Sequence, residues 1–331
     1  MPELVRNEIE EVEHVDLPGR RVDRAVDGEA DVSAGAAAVL DVGPRPLLMV
    51  IVEAGEVLPS PRLLSAVAHF QARELRCRSL TISRMRVVLA VMSGKGGVGK
   101  STVSLNLALA LVDRGARVGL LDADVYGPDI PLMLNVKQTR RLDRWLLGRA
   151  GGAVQLEPVE RRGLRVMSVG FLIGEDQAMT MPAPLLNSML RQLVVDVNWG
   201  ELDYLVIDLP PGTADLQQDL LRIVPDALAV VVVGPQDVAH LDARRLLELL
   251  RSSGMKVLGA VENMTTLTCP HCAEPIDVFP PVSAERSLWR DGVTRLASIP
   301  LDPTLAATQD GGPPGVYAAL AETISRATTG R

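Results

Sequence analysis

The sequence predicts an α/β fold, a mainly parallel sheet with helices on both faces. Two observations carry this. From residue 86 onward, short β-branched apolar runs alternate with longer runs of helical periodicity, the pattern of strand–helix–strand units. The strand-like runs also lack polar alternation, as expected of strands covered on both sides. A third feature sharpens the prediction: the first run, 86–91, leads through a glycine-rich loop directly into a helical run, 101–113.

Taken in order, residues 1–40 read as a flexible acidic arm, rich in Glu, Asp, Arg, Ala and Gly. Residues 46–53 (PLLMVIVE) read as a strand, 61–75 as a helix and 80–82 as a short strand, which makes 41–85 a small α/β appendage of unassigned role. The main domain spans 86–331. Its predicted strands are 86–91, 117–121, 164–168, 204–207, 227–233, 257–261 and 295–299. Its predicted helices are 101–113, 185–197, 215–223, 238–252 and 316–326.

Of the 331 residues, 47% are hydrophobic but only 3% aromatic, so the core must be aliphatic. A net charge of −7 argues against a protein that lives on phosphate backbones, although Arg140, Arg141, Arg144 and Arg149 form a local basic cluster. No uninterrupted apolar run reaches the roughly 18 residues of a membrane span. The first residues have no signal-like apolar core. The C-terminal helix carries only Arg326 and Arg331 as basic groups, too few for membrane docking. Three cysteines, Cys77, Cys269 and Cys272, do not make a disulfide framework, and a reducing cytoplasm is the expected setting.

The loop, Gly94-Lys95-Gly96-Gly97-Val98-Gly99-Lys100-Ser101-Thr102, has the full G-x-x-x-x-G-K-[ST] spacing of a phosphate-binding loop, and hence of the P-loop NTPase fold. Glycines let successive N–H groups converge on phosphate oxygens, and the helix N-terminus adds partial positive charge. Lys100 would reach the β- and γ-phosphates of ATP, and the Ser101 hydroxyl would hold Mg²⁺. The chain holds four lysines (Lys95, Lys100, Lys137 and Lys256), two of them in this loop.

Downstream strands end in carboxylates, where such sheets bind ligands. Asp122 and Asp124 follow the 117–121 run; either could orient water, support Mg²⁺ or merely cap the next segment. Asp208 ends the run YLVID in the Walker B pattern and would hold Mg²⁺. The Pro210-Pro211-Gly212-Thr213 turn follows, placed to sense hydrolysis. Asn263 stands at another strand end, where it could pair with adenine or satisfy local backbone groups. Cys269-Pro-His-Cys272 could chelate a soft metal, give two thiolates to an iron–sulfur cluster, or act as a redox dithiol. A four-ligand site needs two more thiolates, which a symmetric second chain would supply. His271 points away from both cysteines if the segment is extended.

With these motifs together, the chain resembles the Mrp/ApbC iron–sulfur carrier ATPases of the MinD/ParA-like group. The likeness runs from about residue 86 to 326 and rests on SGKGGVGKST, LDADVYGPDIP, MSVGF, WGELDYLVIDLPPGTAD, VENM, CPHC and IPLDP. It implies an ATP-sandwich homodimer in which Lys95 contacts the phosphates of the partner subunit's nucleotide. It further implies that Lys100, Ser101 and Thr102 bind phosphate and Mg²⁺, Asp124 positions the hydrolytic water, Asp208 serves the metal, and Asn263 meets adenine. Cys269 and Cys272 would join their dimer mates around a [4Fe–4S] cluster destined for apo iron–sulfur proteins. The chain departs from the family where Met181-Pro-Ala-Pro184 lacks an Arg and where Val233-Gly234 replaces a Thr pair. Residues 1–85 do not match the small domain often found ahead of the ATPase. Rival readings are a positioning ATPase, disfavoured by the missing membrane and DNA surfaces, and a nucleotide-gated scaffold with zinc across the dimer.

Overall fold

The computed structural model describes residues 84–125, 127–136, 156–171, 183–212, 214–302 and 314–330, together with two strands nearer the N-terminus. The segments 61–75 and 80–82, the basic cluster at 140–149, Cys77, Thr213 and the end of IPLDP lie outside the described residues. The chain divides into two compact units, 1–67 and 68–331.

In the first unit, β1 (Gly35–Val39) pairs antiparallel with β2 (Met49–Glu53), Gly35 opposite Glu53. β2 falls within the predicted 46–53 strand. β1 falls in the stretch read as an acidic arm, because its sequence, GAAAV, has little strand propensity of its own and gains its ladder from the β-branched partner.

The second unit is built on a nine-stranded sheet. Its strands are β3 (Met85–Met92), β4 (Val118–Asp122), β5 (Val159–Arg161), β6 (Leu164–Ser168), β7 (Leu202–Asp208), β8 (Leu228–Val233), β9 (Lys256–Thr268), β10 (Pro275–Ile276) and β11 (Arg295–Leu301). The order is β10-β9-β8-β3-β7-β4-β6-β5, with β11 also paired to β9. All ladders are parallel except those of the edge strands β5 and β10. The helices are α1 (Lys100–Asp113), α2 (Ile130–Met133), α3 (Ala183–Val195), α4 (Ala214–Ile223), α5 (Asp237–Ser252) and α6 (Gly315–Thr328).

Strand order decides where the helices lie. The crossover from β3 through α1 to β4 runs one way along the sheet; those through α4 to β8 and α5 to β9 run the other way. Right-handed crossovers in opposite directions put helices on opposite faces. The predicted two-faced parallel sheet is the observed fold. β3 sits at its centre between β7 and β8, and β8 is buried along its whole length.

Helix α1 packs against α6 and is buried nearly all round, with Leu105, Leu107, Leu109 and Leu111 on its several faces. Each such side chain is worth about 1.5–3 kcal/mol on burial, so the helix whose first residue is Lys100 is firmly anchored. Trp199 is 1% exposed and donates Nε1–H to Leu193 O at 3.1 Å, which ties the WGELDY segment to α3.

Most strands match their predicted bounds to within two residues, but one far exceeds them. β9 runs 13 residues instead of stopping at 261. It trades partners on the way: β8 as far as Glu262, β11 along its other edge, and β10 at the tip.

Candidate nucleotide site and cysteine turn

The loop between β3 and α1 takes its shape from glycine. Gly97 and Gly99 are left-handed, with φ of 78° and 80°, where a side chain would strain the backbone. Gly94 is fixed by close approach: a Cβ there would lie 2.4 Å from the Asp242 carbonyl carbon of α5. Ser93 Oγ donates to Lys95 O at 2.9 Å, and Asn263 Nδ2 donates to Val98 O at 2.9 Å. Lys95, Gly96 and Gly97 are exposed, Val98 is buried, and Ser101 and Thr102 are half-buried at the start of α1. The exposed Lys95 and the buried Lys100 therefore serve different surroundings.

Beneath the loop lie three carboxylates. Sheet register brings two of them together, since Asp122 is the Cα partner of Asp208 across the β4–β7 ladder. Both are fully buried, and two adjacent buried carboxylates need a cation. Lys100 supplies it: Nζ lies 2.8 Å from Asp208 Oδ1 and 3.4 Å from Asp124 Oδ2, and 3.5 Å from Ser101 Oγ. Ser104 Oγ also donates to Asp208 Oδ1 at 2.8 Å. Asp208 Oδ2 is buried with no hydrogen-bond partner. That orphaned oxygen and the Ser101 hydroxyl are hard donors of the kind Mg²⁺ takes, so the residues present fit the ion.

Asp122 organises the segment that bears Asp124. Its Oδ1 accepts from Asp124 N at 3.2 Å, and its Oδ2 accepts from Ile130 N at 3.3 Å and Ser168 Oγ at 2.9 Å. Burial, and next the charge of Asp208, push Asp122 well above the ordinary carboxylate range; Ser168, the Asp124 N–H and Lys100 oppose that rise.

Past Glu262, β9 reaches the loop through Asn263 and then carries the cysteines. Cys269–Cys272 is a tight turn: Cys269 N donates to Glu274 O and Ala273 N to Cys269 O, both at 2.9 Å. The short β10 folds back on Leu267 and Thr268. The segment is a hairpin tip, not the extended run in which His271 would face away from both thiols. Cys269 is half-buried, Cys272 exposed, and both are free thiols. Backbone N–H groups of Cys272, then of His271, hold the Cys269 thiol below its usual range.

The structure thus brings Lys100, Ser101, Asp124 and Asp208 into one cluster, with Asn263 bracing it from the side. Of the two parts the sequence leaves open to Asn263, the contact made is the one with backbone. Gly234, noted as a departure, packs beside the loop: a Cβ there would meet Gln236 Oε1 at 2.7 Å and Val98 Cγ1 at 3.6 Å.

Asp122 takes the capping part that the sequence left open to it, accepting from Asp124 N and Ile130 N, whereas sequence reasoning missed the anchoring parts of Ser104 and Ser168. It also missed a latch between α5 and β9. There His240, wholly buried, accepts from Leu288 N at Nδ1 (3.1 Å). Its Nε2 faces Glu262 Oε1 at 3.3 Å, near enough for attraction though misaligned for a full hydrogen bond. Arg295 lies 3.4 Å from Glu262 Oε2, with its guanidinium 4.1 Å over the Trp289 ring. The only sequence signal for this latch was the Glu beside Asn263 in VENM.

A phosphate loop on a central parallel strand, with a lysine held between strand-end carboxylates, defines the class of P-loop nucleotide-binding proteins. Residues 84–329 match the ParA-type family described as NUBPL iron-transfer P-loop NTPase, and the chain belongs to that family. It is 41% identical to an iron-sulfur cluster carrier protein of Synechocystis over 259 residues, 75% of this chain and 70% of the relative. It is 44% identical to the human cytosolic Fe-S cluster assembly factor NUBP2 over 235 residues, 71% of this chain and 85% of the relative. A nucleotide-binding protein from Archaeoglobus fulgidus, solved in complex with ADP, matches with a TM-score of 0.56 and 32% identity, covering 74% of this chain and 92% of that one.

Proposed function

We propose that the protein is an ATP-binding and hydrolysing carrier of iron–sulfur clusters that holds a [4Fe–4S] cluster between two copies of the chain and delivers it to apoproteins in the cytoplasm. One observation carries this reading: an exposed two-thiol turn grows out of the strand that braces the phosphate loop. Two thiols are half of a four-thiolate set, so a symmetry-related turn completes it. Family membership and the names of the relatives support the cargo.

In this reading Lys100 Nζ neutralises charge on the β- and γ-phosphates, with the loop N–H groups around them. Ser101 and Asp208 hold Mg²⁺, which supplies further neutralisation. Asp124 orients the attacking water, and Thr102 completes the phosphate contacts. Lys95, exposed on the loop's rim, reaches the phosphates of the partner subunit's nucleotide. Asn263 keeps its amide oxygen for the adenine edge while its nitrogen braces Val98.

Anaerobic reconstitution with iron and sulfide tests the reading. The expected product is a brown dimer with one cluster per two chains, which passes the cluster to an apo-enzyme in an ATP-dependent manner. The double variant Cys269→Ala/Cys272→Ala should bind ATP as before and take up no stable cluster. An equally stable cluster in that variant would falsify the ligand assignment. A zinc site across the dimer uses the same thiolates, and metal analysis of the purified protein separates the two.

A further inference from the structure

One residue stands between the phosphate loop and the cysteine turn. Between Asn263 and Leu267 the pairing of β9 with β11 slips: Ile299 opposes Asn263, yet Leu301, only two residues on, opposes Leu267. The two extra residues on β9 make a bulge, and bulges of this kind re-aim a strand. Within it, Met264 has φ of 60°, the left-handed region that a long side chain rarely adopts. Backbone held there persists where its surroundings over-determine it, and such positions gather at functional sites.

The surroundings in question are the phosphate loop. Met264 Cε lies 3.2 Å from the position a Cβ on Gly99 would take, and Asn263 Nδ2 lies 2.3 Å from it. Gly99 is the left-handed residue immediately before Lys100. Two neighbouring β9 residues therefore close around the hinge of the loop. Also within the bulge, Thr265 Oγ1 donates to Ile299 O at 3.2 Å and pins β9 to β11. Four residues after Thr265 comes Cys269. No helix or long loop intervenes between the hinge and the thiols.

We propose that Met264 is a positioning residue that transmits the state of the phosphate loop to the cysteine turn. A shift of Gly99 as phosphate settles on Lys100 displaces the Met264 side chain, and the bulge converts that displacement into a change in the angle at which the hairpin presents Cys269 and Cys272. This rests on the carrier reading for its biological sense, but the mechanical link can be measured without any cluster.

The test is the rate of thiol alkylation by iodoacetamide in the cluster-free protein, with and without Mg²⁺ and ADP. In the wild type the nucleotide should change the rate about fivefold or more, the lower end of ordinary coupling between sites. Met264→Gly permits the left-handed backbone conformation and deletes the side-chain contact. It should bind ADP within about twofold of wild type and show a rate ratio near one, while Met264→Leu should restore most of the ratio. Thr265→Val, which unpins the bulge and leaves the loop contact intact, should also lower the ratio, and it decides the question should Met264→Gly fold poorly. An unchanged ratio in Met264→Gly or Thr265→Val, or no nucleotide effect in the wild type, overturns the proposal. Failure of reconstitution would sink the carrier reading and leave these rates untouched.

Discussion

The phosphate loop meets β9 at Asn263, six residues before Cys269, yet the loop and the cysteine turn are built on opposite principles. Around the loop, charge is enclosed: Asp122 and Asp208 are fully buried, Lys100 is 6% exposed, and each is met by partners from the same chain. At the turn, residues 270–278 are all exposed, and the Cys269 thiol is met by backbone N–H groups and the neighbouring thiol. The first region draws its countercharge, Lys100, from within the chain. The second leaves two free thiols on an exposed turn. The difference separates an enclosed charge cluster from an exposed thiol turn.

Removing Lys100 puts the largest load on this contrast. Lys100→Ala should cost at least about 3 kcal/mol in nucleotide binding, roughly 100-fold or more by calorimetry, because several charge-assisted bonds to phosphate are lost. It should also lower stability by about 3 kcal/mol at neutral pH, since three carboxylates lose their shared cation. Denaturant unfolding would show part of that loss returning as the pH falls and the buried carboxylates protonate. Iron uptake at the cysteine turn should stay within error of wild type. A parallel loss of cluster would mean that the two regions are one cooperative unit.

A smaller effect probes how the enclosed region holds its parts. The Asp122 carboxylate is wholly buried and gathers Asp124 N, Ile130 N and Ser168 Oγ. Asp122→Asn turns one acceptor oxygen into a donor facing donors. The turnover number for ATP should fall about tenfold as Asp124 loses its fixed place, while ATP affinity stays within about threefold. Equal losses in both would mean that Asp122 serves binding itself.

The same contrast explains what could be read from the residues alone. Parallel strands were legible to within a few residues because β8 and the body of β3 are continuous β-branched and aliphatic runs, buried on both faces. Asp208, the Asp-Ala-Asp pair and the loop were legible as candidates because strand ends and glycine spacing are local patterns. The extension of β9 was not: TTLT carries no apolar signature, and its ladder comes from β10 and β11, later in the chain. Nor was the choice within Asp-Ala-Asp, since only the β4–β7 register shows that Asp122 lies beside Asp208 and Asp124 beside Lys100. The latch at His240 joins residues 240, 262, 289 and 295, and no local spacing could have assembled it.

That latch sits on the seam between the two regions, just before β9 leaves β8, and pH should distinguish an enclosed charge from an open one. Burial raises the Glu262 carboxyl, but the His240 imidazole, Arg295 and Trp289 together outweigh it and hold Glu262 below its ordinary value of 4.5. A carboxylate lowered on folding contributes stability above its unfolded pKa and loses it as the pH falls through the folded value. Wild type should therefore exceed Glu262→Gln by about 1 kcal/mol in denaturant unfolding at pH 7, with the gap closing progressively below about pH 4.5. A gap independent of pH would show that Glu262 acts by shape rather than by charge, and would move the seam from the electrostatics of the loop to the packing of α5 on β9.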